Sequence, residues 1–218
     1  MLKKKIIENI IFKIKNNIII ERKSDEISYK LSRLIINNFK IDRDVFLKNI
    51  QFDRGDEYAN FDLKCKFFKD YNLNFPFSID ANADAENIDI EITYNPKEFP
   101  KNMNDLVSEV KETIEHELEH VEQQNFEDMY VDDIEIDNNE LDYNFKYLTS
   151  KVEVPAYVRG LIKRAKTKKI TLSDAMDEWY EENKLKFKEP KKEWYLIKKL
   201  WMDYAMNSRL NNKVKKFK

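Results

Sequence analysis

Apolar residues recur along the chain with two different periods, and the change between them divides the sequence. Ile27, Leu31, Leu34 and Ile35 repeat at three and four residues behind Ser24 and Asp25, whose side chains can cap a helix, so residues 1–40 read as helical. From about 50 to 95 the period falls to two. Phe61, Leu63, Cys65 and Phe67 alternate with polar partners, as do Phe75, Phe77 and Ile79, and then Ile88, Ile90, Ile92 and Tyr94, which predicts three strands. The stretch 82–87 predicts a hairpin between the second and third, and Pro96 and Pro100 close the sheet region. Leu106, Val107, Val110, Ile114, Leu118 and Val121 then return to helical spacing and predict a helix over 103–124. Residues 125–146, rich in Asp and Glu and poor in apolar anchors, read as a loop. Further helices are expected over 153–167, over 172–186 behind Thr171 and Ser173, and over 191–210 after Pro190. Trp194, Ile197, Leu200, Trp201 and Tyr204 fall on one face of the last helix and read as core rather than as a platform for bases. Lys213, Lys215, Lys216 and Lys218 read as a solvated end. The expected architecture is α+β: an N-terminal helical segment over 1–48, a core over 49–168 in which a small sheet packs on helix 103–124, and a helical extension over 169–218.

Composition narrows the class. The chain has 218 residues, and its 14 Phe, 11 Tyr and 3 Trp supply the buried anchors a disordered chain lacks, despite 37 % charged residues. Lys+Arg number 39 against 41 Asp+Glu, a net charge of -2, so no overall field draws the protein to nucleic acid or to an anionic membrane. Cys65 is alone, which excludes an intramolecular disulfide and a thiolate pair for a metal, and fits a reducing compartment. Lys3, Lys4 and Lys5 precede an isoleucine-rich stretch, but Glu8, Lys13 and Lys15 interrupt it and no small-residue cleavage site follows. The longest aliphatic run there, Ile18 to Ile20, is far below the roughly 20 residues of a membrane helix. A cytoplasmic protein without signal peptide or membrane segment is expected.

The chain has two histidines, and both lie in His116-Glu117-Leu118-Glu119-His120. Four helical steps of about 100° bring His116 and His120 one turn apart on nearly the same face, where two imidazoles can reach one metal ion. Glu117 lies beside the first ligand, where a carboxylate can take a proton from water. Two imidazoles, a carboxylate and an open position favour Zn2+. The competing reading is a solvated stripe made of Glu112, Glu115, Glu119 and the two histidines.

No histidine remains for a third ligand. The metzincin extension is excluded because its Gly and His positions fall on Gln123 and Phe126, so the ligand must be a carboxylate. Glu153 is the candidate, thirty-three positions beyond His120, in Ser150-Lys151-Val152-Glu153-Val154-Pro155-Ala156-Tyr157. Over about residues 75–165 the chain resembles the gluzincin branch of zinc metallopeptidases, in which a second helix with a Glu-x-x-Ala-like pattern supplies the third ligand. Tyr147-Leu148, Glu153 and Ala156-Tyr157 are similar to small peptidase-like proteins encoded by bacteriophages. The resemblance implies a zincin-like fold, a peptide or protein substrate, Zn2+ held by His116, His120 and Glu153, Glu117 as general base, and association with a virion or a host-cell cytoplasm.

On a helix starting at Glu153, Ala156 and Gly160 fall near the Glu153 direction and form a small face that another helix can approach. Alternatively Ser150 caps this helix with Glu153 as its capping-box partner, or the ligand comes from Glu127 or Asp128. With no third histidine, a Tyr or Arg must stabilise the oxyanion, and Tyr147, Tyr157 and Arg159 lie nearest in sequence. Strand 75–81 or 88–94 offers an edge to which an extended peptide can add. A phage-associated structural or binding protein with a non-catalytic zinc site is the alternative function. The acidic segment lacks the glycine and ligand spacing of a calcium loop.

Overall fold

A computed structural model describes residues 24–54, 57–99, 101–126, 143–187 and 190–207. Helix α1 (Ser24–Phe39) leads into strands β1 (Val45–Arg54), β2 (Glu57–Lys69), β3 (Phe77–Ala83) and β4 (Asn87–Tyr94). Helices α2 (Met103–Phe126), α3 (Tyr143–Leu148), α4 (Glu153–Lys168), α5 (Leu172–Asn183) and α6 (Pro190–Asn207) follow. The class is α+β, as the change of period implies.

The sheet has order β1-β2-β4-β3 and is mixed, with β1–β2 and β3–β4 antiparallel and β2–β4 parallel. The β3–β4 hairpin closes through Asp84, whose Oδ1 accepts from the N–H groups of Glu86 and Asn87 at 2.8 and 2.7 Å. One face is apolar: Leu63, Cys65, Ile88, Ile90 and Ile92 meet Ile27, Leu31 and Ile35 of α1 and Leu106, Val110, Ile114 and Leu118 of α2. The other carries cross-strand pairs such as Lys64–Asp89 at 3.6 Å, as expected of a sheet wetted on one side.

Strand β1 was not among the three expected, and its register explains why. Val45 and Leu47 point to the core, then a bulge between Leu47 and Ile50 shifts the phase so that Ile50 and Phe52 point there instead. Asn49 takes the extra position at φ 52°, its N–H donating to Asp62 Oδ1 at 2.9 Å. An inserted residue reverses the alternation, so no unbroken period of two spans the strand.

A second core unites α3 to α6 around Trp179, Trp194, Ile197 and Trp201. Leu200 departs from the expected face and is 38 % exposed, because it lies about 100° from the centre of the stripe formed by Trp194, Ile197, Trp201 and Ala205. Thr171 and Asp174 form a capping box at the start of α5, and α5 ends at Asn183, where a 3₁₀ turn, Lys184–Lys186, replaces its expected last turn. Helix α3 begins within the expected loop 125–146. Residues 127–142, with Glu127 and Asp128, the first 23 residues and the basic tail all lie outside the described residues. Among the described residues no helix is long and apolar enough to cross a membrane.

Helix α2 joins the two cores. Its apolar stripe faces the sheet, and its opposite stripe, Glu112, Glu115, Glu119 and Glu122 with His116, faces α4 rather than water. Arg159 pairs with Glu119 and Glu122 at 2.5 and 2.6 Å, Lys163 reaches Glu115 at 3.8 Å, and Arg164 lies 3.4 Å from Glu112. The glutamates that read as a solvated stripe are therefore at a helix interface.

Candidate metal centre

The backbones of α2 and α4 meet at Gly160. A Cβ there would lie 3.1 Å from the Glu112 carbonyl oxygen and 3.6 Å from His116 Cβ, so only glycine permits this approach without displacing a neighbour. The approach carries Glu153, in the first turn of α4, to the histidines of α2. Ser150 Oγ accepts from the Glu153 N–H at 3.2 Å, which is one half of a capping box. The Glu153 carboxylate does not complete that box and turns to the histidines instead. Pro155 is the third residue of α4, in the first turn where proline is best tolerated.

His116 Nε2 and His120 Nε2 are 3.1 Å apart, and Glu153 Oε2 lies 3.5 and 3.6 Å from them. Glu153 Oε2 is buried without a hydrogen-bond partner, and the three residues form the cluster able to hold a metal among the described residues. Ligands about 2.0–2.1 Å from a tetrahedral zinc stand roughly 3.3 Å from one another. The observed separations scatter about that value, so the three donor atoms are spaced as ligands of one metal ion would be.

Burial and the charges within the cluster act on its titrating groups in opposite directions. Burial, reinforced by His120, holds His116 down to about 3, against the pull of Glu153. Burial also opposes a charge on His120, but Glu153 and Glu117 outweigh it and move its pKa up. Burial works against ionised Glu153, yet the closeness of His120 and His116, with Tyr147 beside it, carries its pKa below the ordinary value. Glu117, 5 % exposed, is pushed up to about 7 by burial, with Glu153 and Asp80 adding to the rise and His120 opposing it.

Tyr147 hydrogen-bonds the Glu153 carboxylate. Tyr157 sets its ring edge-on to His116, with centroids 4.7 Å apart, and stacks on Trp201 at 5.1 Å. Burial first, and then the negative charge of Glu153, raise both phenols well above their ordinary range, so each remains a donor. Arg159 is instead engaged with Glu119 and Glu122. Gln123, absent from the sequence reading as a site residue, is 1 % exposed and contacts His120. Its signal was the three-residue spacing from His120, which places it on the same face one turn on.

No protein-family model, curated protein or solved structure matches the chain.

Proposed function

We propose that the protein is a zinc-dependent metallopeptidase in which His116, His120 and Glu153 hold the ion and Glu117 is the general base. The convergence of three donor atoms from two helices, with a buried carboxylate beside the first ligand, carries this reading. When bound, zinc supplies a Lewis acid that brings the pKa of a water molecule to about 7 and polarises a carbonyl. Glu117 takes the proton of the attacking water and returns it to the leaving amine, a role suited to a carboxylate poised near neutrality. Of the two phenols, Tyr157 is the candidate donor for the developing oxyanion, because the single O–H of Tyr147 is given to the Glu153 carboxylate. Of the two strands that read as substrate edges, β4 is internal and β3 alone is an edge, so β3 is the strand to which an extended peptide adds.

The test pairs zinc titration of the full chain with hydrolysis of a mixed peptide library. Glu117→Gln should keep stoichiometric zinc and lose about 10²- to 10⁴-fold in turnover. Glu153→Ala should lose zinc first and activity as a consequence. Zinc bound tightly by the wild type with no peptide cleaved would favour the non-catalytic alternative. Absence of zinc binding by the wild type would refute both.

A further inference from the structure

We propose that Gln123 is a positioning residue that selects the tautomer of His120 and couples it to the helix bearing Glu153. The inference rests on the metal-site reading above, but it concerns hydrogen bonds that exist without the ion. Gln123 Nε2 donates to the Val152 carbonyl at 3.0 Å, and the same nitrogen lies 3.4 Å from Glu119 Oε1. A backbone carbonyl can only accept, which determines the orientation of the carboxamide: nitrogen towards Val152, oxygen towards His120. His120 Nδ1 lies 3.3 Å from that oxygen. An amide oxygen only accepts, so Nδ1 carries a proton, and in the neutral ring Nε2 is then the nitrogen whose lone pair faces His116 Nε2 and Glu153 Oε2.

The same carboxamide acts on the third ligand. Val152 immediately precedes Glu153, so the bond from Gln123 to the Val152 carbonyl anchors the start of α4 against α2. One side chain thus sets the ring state of one ligand and the height of another, which lies thirty-three residues away in sequence. Arg159 supports this arrangement by pairing with Glu119, the other acceptor of the Gln123 amide. Partners of this kind orient metal ligands and change affinity when removed.

Nitrogen-15 NMR of the metal-free full chain reads the tautomer directly. At a pH high enough to leave the ring neutral, wild-type His120 should show a protonated Nδ1 and an unprotonated Nε2. Gln123→Met, which keeps the length and removes both polar atoms, should shift His120 towards a mixture and weaken zinc binding by about 10- to 100-fold. Gln123→Glu should restore the Nδ1–H form at a pH where the new carboxylate is ionised, because it can then only accept from the ring. If Gln123→Met does not fold, the wild-type and Gln123→Glu spectra decide alone. An Nε2–H form in the wild type or in Gln123→Glu, or an unchanged tautomer in folded Gln123→Met, would overturn the proposal. A wild type that has the Nδ1–H form but binds no zinc would uphold the tautomer assignment and remove the metal reading instead.

Discussion

At the scale of single residues, Gly160 decides how closely two helices can lie. Glycine within a helix costs about 1 kcal/mol relative to alanine, so Gly160→Ala would stabilise an isolated α4. In the protein the added methyl would stand 3.1 Å from a backbone oxygen of α2, which cannot rotate away as a side chain can. Gly160→Ala is therefore expected to lower stability despite its propensity, and to weaken zinc binding, because His116 and Glu153 lie on opposite sides of the contact. Denaturant unfolding and zinc titration check both. A gain in stability with unchanged zinc affinity would show that the helices part without cost. Gly160, Ala156 and Glu153 were legible in the sequence as one face of a helix; that the face meets Glu112 and His116 was not, because spacing within an element carries no information about its neighbour.

At the scale of elements, the contact between α2, α4 and α5 is built from charge. Arg164 is 2 % exposed and pairs with Glu182 at 2.6 Å, Glu112 at 3.4 Å, and Glu109 and Glu178 each at 3.8 Å. Burial nonetheless pushes Glu109 and Glu112 up to about 7, with Arg164 acting to hold both lower. Removing the cation from such a group leaves buried carboxylates uncompensated, so Arg164→Met should cost about 3–5 kcal/mol near neutral pH. The pH dependence follows from proton counts. Below about 7 these two carboxyls are protonated in both folded proteins, and the variant loses least. Above about 7 they ionise in the folded wild type, whereas without Arg164 their pKa values rise further and the folded variant retains protons the unfolded chain has released. The loss should thus grow from pH 6 to pH 9, as unfolding at both pH values would show. A loss that shrinks with pH would contradict the assignment.

At the scale of the whole molecule, the site lies between two cores and belongs wholly to neither. The first contributes His116, Glu117 and His120 through α2, the second Glu153 through α4. Trp201, fully buried, donates its Nε1–H to the Leu148 carbonyl at 3.0 Å and stacks on Tyr157, which in turn contacts His116. Trp201→Ala should cost about 3–5 kcal/mol through the cavity it leaves. It should also weaken zinc binding without touching a ligand, since Leu148 and Tyr157 bracket the start of α4. Unfolding and zinc titration would test this, and a destabilised variant with wild-type zinc affinity would show that the second core does not hold the ligand in place.

What the sequence by itself determined is local. The two periods separated sheet from helix, and the spacing of His116 and His120 placed both on one helical face, because backbone geometry alone dictates which side chains share a side. The tertiary structure decided what a period cannot encode. The bulge at Asn49 hid β1, since one extra residue reverses the alternation by which a strand is recognised. The glutamate stripe of α2 looked like a wetted face because charge normally seeks water, and only the docking of Arg159, Lys163 and Arg164 from α4 turned it inward. The position of Glu153 beside the histidines and the double hydrogen bond of Gln123 likewise required α2 and α4 to meet, which depends on close packing at Gly160 and on two cores folding against each other.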